Sequence, residues 1–167
     1  MNTLFESKRL YFREFSEEDA KDLYELNSDP LVIKYTGDPP FESIESARQI
    51  VINYDHYRKH GFGRWAAIRK EDNKFIGWCG LKYNEENEID LGYRFFQDEW
   101  GKGYASESAR ATIKYGNEEL GIKEFIGRSA NENGASIRVL EKLNFKFIKS
   151  SPCDGIEDAR YYVLKIN

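Results

Sequence analysis

The segment Gln97-Asp98-Glu99-Trp100-Gly101-Lys102-Gly103-Tyr104-Ala105-Ser106-Glu107 sets two glycines, one residue apart, at the mouth of a helix. Upstream, Glu88-Ile89-Asp90-Leu91-Gly92-Tyr93-Arg94-Phe95 alternates in character as a partly buried strand does. Downstream, Ala105, Ala109, Ile113, Gly116 and Leu120 recur at three- and four-residue spacing and mark one helical face. Small residues near its start let that helix sit close to a sheet. A strand, a glycine turn and a helix in this order can turn backbone N–H groups toward an anion, because glycine accepts unusual backbone angles and lets a ligand approach closely. The helix start adds unpaired donors and about half a positive charge from the macrodipole. The expected ligand carries phosphate; the plainer alternative is a strand–turn–helix with no ligand. Two other phosphate loops fail on residues. A Walker loop needs Ser or Thr after its Gly-Lys, and here Gly103 is followed by Tyr104; a dinucleotide fingerprint needs a third glycine where Ser106 stands.

The second half repeats the theme. Phe125-Ile126-Gly127-Arg128 reads as a short strand, and Asn131-Glu132-Asn133-Gly134-Ala135-Ser136 leads into Ile137, Leu140 and Leu143, the buried side of another helix. Asn133 is placed as an N-cap whose side chain accepts the N–H of Ser136. Asn144 can end the helix in the left-handed conformation, and Gly121 can do the same for the helix before it.

Trp-Gly-Lys-Gly-Tyr-Ala-Ser-Glu (100–107), followed by Asn-x-x-Ser-x-x-Val-Leu-Glu-Lys-Leu-Asn-Phe (133–145), resembles the GCN5-related N-acetyltransferases (GNAT) and, within them, the ribosomal-protein N-terminal acetyltransferase-like (RimJ/RimL-like) branch. The opening Glu6-Ser7-Lys8-Arg9-Leu10-Tyr11-Phe12-Arg13, then Ser16-Glu17-Glu18-Asp19-Ala20, resembles that branch's first strand and helix. Ile76-Gly77-Trp78-Cys79-Gly80-Leu81 and Asp90-Leu91-Gly92-Tyr93 fit it too. The resemblance covers nearly the whole chain. Two positions depart from the pattern: Asp98 stands where Gln or Arg is usual, and Leu143-Asn144-Phe145 replaces Leu-Gly-Phe.

The resemblance implies an α/β GNAT fold over residues 1–167, with a central mixed, mostly antiparallel sheet flanked by helices. It implies acetyl-CoA (coenzyme A) as co-substrate and an amine acceptor, a protein N-terminus or a small molecule, joined in a ternary complex. Pantetheine would lie beside Tyr93, Arg94 and Phe95, pairing with their backbone like an added strand. The pyrophosphate would sit on N–H groups of Trp100, Gly101, Lys102, Gly103, Tyr104, Ala105 and Ser106, and Asn133 would face the pantetheine arm. Asp90 is the candidate base, or else a buried structural acceptor; Glu88 shares its facing but lies nearer the turn. Ser136 is the candidate proton donor to the leaving thiolate, or else bonds only to backbone. A protein α-amine with pKa near 7.8 is about 15% neutral at pH 7, so a weakly placed carboxylate acting through water suffices for it. The rival readings are a non-catalytic CoA-binding sensor or interaction module, and a nucleotide-binding regulator.

Composition agrees with one domain of 167 residues, with 11 Tyr, 11 Phe and 3 Trp to fill a core. A net charge of -4, with no basic block, argues against a general nucleic-acid binder and is compatible with a basic partner. Cys79 and Cys153 lack metal-ligand spacing and read as free thiols of a reducing compartment. No apolar run approaches the ~20 residues of a membrane span, and the start, with Glu6, Lys8 and Arg9 and no long apolar run, does not read as a signal peptide. The expectation is a cytoplasmic protein without metal; homo-oligomerisation is left open.

The remaining elements read coarsely. Leu10 to Phe15 is a strand, Ser16 caps a helix ended by Asp29-Pro30, and Ser43 opens a helix running to Gly61 with Ile44, Ala47, Val51 and Tyr54 inward. Arg64 to Ile68 and Lys74 to Leu81 are strands, and Phe147 to Lys149 pairs with Arg160 to Ile166 around Pro152-Cys153-Asp154-Gly155. His56 and His60, four apart on the second helix, have no third ligand pattern for a metal. By the resemblance that helix borders the acceptor entrance, so His56, Tyr57, Phe62 and Trp65 are candidates to shape specificity or to fill the core.

Overall fold

The structure is a computed structural model and describes residues 2–153 and 155–167. Strands β1 (Phe5–Glu6) and β2 (Leu10–Arg13) open the chain, and helices α1 (Ala20–Ser28), α2 (Pro30–Ile33), α3 (Ile44–Ile52) and α4 (His56–His60) follow. Strands β3 (Arg64–Arg69), β4 (Lys74–Tyr83) and β5 (Ile89–Phe95) form a meander. Then come α5 (Tyr104–Glu118), β6 (Glu124–Ala130), α6 (Gly134–Lys142), β7 (Lys146–Cys153) and β8 (Ile156–Lys165). The eight strands make one sheet in the order β1-β2-β3-β4-β5-β6-β8-β7. All neighbours are antiparallel except β5 and β6, which run parallel. This is the mixed, mostly antiparallel α/β architecture expected.

The central strands of the sheet, β2 to β6, are covered on both faces, whereas the edge strand β7 is largely exposed. β3 shows the two-residue alternation: Trp65 and Ala67 join the core under α5 and α6, whereas Ala66 and Ile68 join the core under α1 and α3. Trp65, Phe12 and Phe125 are among the largest fully buried side chains, each contributing about 1.5–3 kcal/mol of burial. Cys79 is packed there as well; burial pushes its thiol up to about 12, so it stays protonated.

One irregularity of this sheet matters most. β5 keeps its pairing with β4 from Ile89 to Phe95, and β6 keeps its pairing with β8 from Glu124 to Ala130. Between β5 and β6, however, only Asp90↔Ile126 and Leu91↔Gly127 are paired. Beyond Leu91 the two strands part, and the β6-facing edge of residues 92–95 is left without a strand partner. An open strand edge of this kind accepts an extended ligand as an extra strand.

Several local expectations are corrected. The helix expected from Ser43 to Gly61 is two helices separated by residues 53–55. Tertiary bonds win over helix continuity there: the Tyr54 hydroxyl accepts the Arg64 N–H at 2.8 Å, and the Tyr57 hydroxyl bonds the Arg64 carbonyl. Of the four residues expected inward, Ala47 is fully buried while Ile44 is 37% exposed. The first strand ends at Arg13, because the Arg13 guanidinium turns to grip Asp19 at 2.8 and 2.9 Å and fixes the 3-10 turn before α1. The short β1 and α2 had no periodic signal at their length. The last two strands extend further than expected, with Pro152 and Cys153 inside β7; Asp154 of the expected turn lies outside the described residues.

Candidate active site

The glycine turn does what its sequence requires. Gly101 and Gly103 hold φ of +76° and +84°, a left-handed geometry that β-carbons disfavour. Gly103 is the N-cap of α5 and offers no side-chain acceptor. As a result, none of the backbone N–H groups from Gly101 to Ser106 has an acceptor among the described residues. Six consecutive free donors at the positive end of a fifteen-residue helix form a cradle of the kind that suits an anion. The loop is braced from behind. Arg9 donates from Nη2 to the Lys102 carbonyl at 2.9 Å and lies 4.2 Å over the Tyr104 ring. Glu107 accepts the Arg9 Nε at 2.9 Å, the Arg9 backbone N–H at 3.0 Å and the Ser7 hydroxyl at 2.6 Å. Burial opposes ionisation of Glu107, but those three donors outweigh it and hold its carboxyl below the usual range.

The cradle opens onto a cleft of about 570 Å³, which the splayed edge of β5 also lines. The structure gathers Tyr93, Arg94, Phe95, Trp100, Gly101, Gly103, Tyr104, Ala105, Ser106, Asn133 and Ser136 around it. Lys102, whose Nζ turns back to Glu99 at 3.3 Å, does not line it. Asn133 caps α6, its Oδ1 accepting the Ser136 N–H at 3.2 Å. The Ser136 hydroxyl lies 3.0 Å from the Tyr93 hydroxyl. Burial pushes the Tyr93 phenol above its ordinary value, so it keeps its proton at neutral pH.

A second cleft of about 530 Å³ shares Tyr35, Thr36, Tyr93, Arg94, Asn133 and Ser136 with the first. Tyr93 points to the α5 side of the sheet with Leu91 and Phe95, whereas Asp90, Gly92 and Arg94 point to the other. The parting of β5 from β6 is thus a passage through the sheet, joining Ser136 on one side to Asp90 on the other. Asp90 is buried, and its Oδ2 accepts Arg64 Nη2 and Arg128 Nη2, each at 3.3 Å. Its Oδ1 is buried without a partner among the described residues. Arg64 also donates to the carbonyls of Gly80 at 2.7 Å and Asp90 at 3.0 Å. Gly92 makes room for this guanidinium: a β-carbon there would lie 2.6 Å from Arg64 Nη2. Trp78 lies between Arg64 and Arg94, at 5.2 and 5.3 Å, and Arg94 Nη2 donates to Asp38 at 2.8 Å.

The sequence model of the acetyltransferase (GNAT) domain family matches residues 9–146. The chain belongs to this family. This GNAT acetyltransferase is 34% identical over 149 residues to the uncharacterized N-acetyltransferase p20 of Bacillus licheniformis, covering 87% of this chain and 83% of the relative. It is 31% identical over 164 residues to the uncharacterized N-acetyltransferase YnaD of Bacillus subtilis, covering 95% and 94%. Among solved structures, a GNAT-family acetyltransferase from Bacillus anthracis superposes with a TM-score of 0.82 at 29% identity, over 96% of this chain and 97% of that one. The fold is also that of RimL, a ribosomal L7/L12 α-N-protein acetyltransferase solved in complex with coenzyme A (TM-score 0.81, 18% identity, 99% and 98% covered). No helix among the described residues is long and apolar enough to cross a membrane.

Several placements differ from expectation. Glu88 precedes β5, and its carboxylate accepts the Asn84 amide at 3.1 Å in the turn. His56, Phe62 and Trp65 line neither cleft. His56 accepts the Tyr83 N–H on Nε2 at 3.1 Å and therefore donates from Nδ1 to the Phe62 carbonyl at 2.6 Å. Both ring nitrogens are engaged in tying α4 to β4, and burial lowers the His56 pKa. Phe62 and Trp65 are core, whereas Tyr54 borders the second cleft. Arg64, Lys82, Trp78 and Arg128 were missed. The signal for Arg64 was Gly92 inside a strand, since a strand glycine marks a close approach.

Proposed function

We propose that this GNAT domain transfers an acetyl group from acetyl-coenzyme A to a primary amine by direct attack in a ternary complex. The observation that carries this reading is the run of six unpaired N–H groups, 101–106, five of whose residues line the same cleft as the free edge of β5. The first feature suits a diphosphate and the second an amide-bearing arm; coenzyme A has both in one molecule and supplies an activated acyl carbon when bound.

The chain's own residues divide the remaining work. The cradle and the β5 edge bind and orient. Arg64 and Arg128 fix Asp90 through Oδ2, leaving Oδ1 to take the proton the amine loses as its N–C bond forms. As the C–S bond breaks, the sulfur receives a proton from the Tyr93–Ser136 hydroxyl pair, the protonated Tyr93 phenol backing the Ser136 hydroxyl. One proton leaves nitrogen and one reaches sulfur, so the chain ends in its starting state once Asp90 and the hydroxyl pair exchange protons with solvent.

The test is thiol release from acetyl-coenzyme A across a panel of amines, with calorimetry of coenzyme A binding alongside. Amine-dependent release is the expected result. Binding without release on any amine would instead make the domain a coenzyme A sensor, and stabilisation by ATP or NAD but not by acetyl-coenzyme A would make it a nucleotide-binding regulator.

A further inference from the structure

The floor of the second cleft is a ladder across β4 and β5. Trp78 pairs with Arg94, Gly80 with Gly92, and Lys82 with Asp90. Directly opposed residues of an antiparallel pair carry their side chains on the same face, with β-carbons about 5 Å apart. Lys82 and Asp90 are therefore neighbours of opposite charge, both lining the cleft. They do not pair with each other. Asp90 Oδ2 is given to Arg64 and Arg128, and Lys82 has no ion-pair partner within 4 Å among the described residues. Glu85 carries charge that Lys82 also feels, but it is engaged with Arg128 at 3.0 Å. Arg94 is similarly engaged with Asp38 and Asn27.

The site thus holds a buried carboxylate oxygen without a donor beside a half-buried lysine whose ammonium has no ion-pair partner among the described residues. An unpaired buried acceptor is uncommon and calls for a ligand or a water to complete it. A polyamine would answer the first group and leave the second facing more positive charge. A peptide N-terminus would place an uncharged amide where the cation stands. From this juxtaposition we infer that the acceptor is a free α-amino acid, its amine at Asp90 Oδ1 and its carboxylate at Lys82 Nζ. The two groups of such a molecule hang on one carbon, and Lys82 and Asp90 stand directly opposite each other on one face of the sheet. This inference rests on the acetyl-transfer reading above and narrows its acceptor.

The experiment compares matched acceptors in the thiol-release assay: the twenty amino acids, their amides and methyl esters, short peptides, and spermidine. The expected result is at least one amino acid whose kcat/KM exceeds that of its own amide and ester by tenfold or more. Lys82→Met should collapse that ratio toward one, and Lys82→Arg should restore most of it. The inference is overturned if no free amino acid reacts, if amides, peptides or spermidine react as well as or better than the acids, or if Lys82→Met leaves the ratio unchanged. Coenzyme A calorimetry separates the failures. Loss of coenzyme binding would sink the acetyl-transfer reading itself, whereas tight binding with the wrong acceptor preference would sink only this one.

Discussion

Gly92→Ala puts one methyl group into the hinge of the site. The added β-carbon would lie 2.6, 2.7 and 2.8 Å from Nη2, Cζ and Nη1 of Arg64, which β-carbons do not tolerate. The neighbour is the end of a side chain, but one only 11% exposed, so the guanidinium cannot simply swing into water. It must give up its bonds to the Gly80 carbonyl at 2.7 Å and the Asp90 carbonyl at 3.0 Å, and its contact with Asp90 Oδ2 at 3.3 Å. A hydrogen bond to a charged group contributes about 1.5–3 kcal/mol, so losing the two shorter ones at the low end costs ~3 kcal/mol. For a domain of this size that corresponds to a melting temperature lower by about 6–12 °C. The assay is a double-mutant cycle by denaturant unfolding on Gly92→Ala, Arg64→Ala and the pair. In the Arg64→Ala background the added methyl should be neutral to within about 0.5 kcal/mol, since Gly92 has no positive φ to protect. A melting temperature unchanged in the single variant, or a penalty that persists without Arg64, would refute the contact as the cause.

Tyr93→Phe and Ser136→Ala should each slow turnover only severalfold, because the remaining hydroxyl still serves the sulfur, while the double variant should fall by ~100-fold in a folded protein; a double variant at the wild-type rate would remove both from proton delivery. Asp90→Asn should cut turnover by ~100-fold near pH 7 and progressively less toward pH 9, where more of the amine arrives neutral; a pH-independent loss would assign Asp90 a structural role. His56 has a lowered folded pKa, so the folded state binds fewer protons than the unfolded chain below about pH 6.5. Its stabilisation is present above that pH and is lost as pH falls through the folded value, so His56→Gln should flatten the fall in stability between pH 7.5 and pH 5.5; an unchanged slope would contradict this.

What the sequence made legible is what local chemistry controls. Asn133 as an N-cap, Asn144 at φ +69° and Gly121 at φ +70° follow from short-range backbone preferences, and so does the strand–turn–helix around Gly101 and Gly103. Gly92 marks a close approach beside Asp90, but which groups make that approach was not legible, because they come from distant chain. Arg64 is 26 residues away and Arg128 is 38, and the Arg9–Glu107 brace spans 98. Periodicity along one element carries no information on such pairings. The break after Ile52 was hidden for a similar reason: Tyr54 and Tyr57 are held by Arg64 on another element, which helix propensity does not register.

Calorimetry with coenzyme A and with pantetheine, which lacks the diphosphate and the adenosine 3′-phosphate beyond it, tests the main-chain cradle most directly when both ligands are also titrated into a Gly103 variant. If residues 101–106 hold the diphosphate through free N–H groups, coenzyme A should bind on the order of 100-fold more tightly than pantetheine. Gly103→Val, forced from φ +84° at a cost of about 1–3 kcal/mol, should erase most of that difference. Equal affinity for the two ligands, or no uptake of coenzyme A at millimolar concentration, would contradict it.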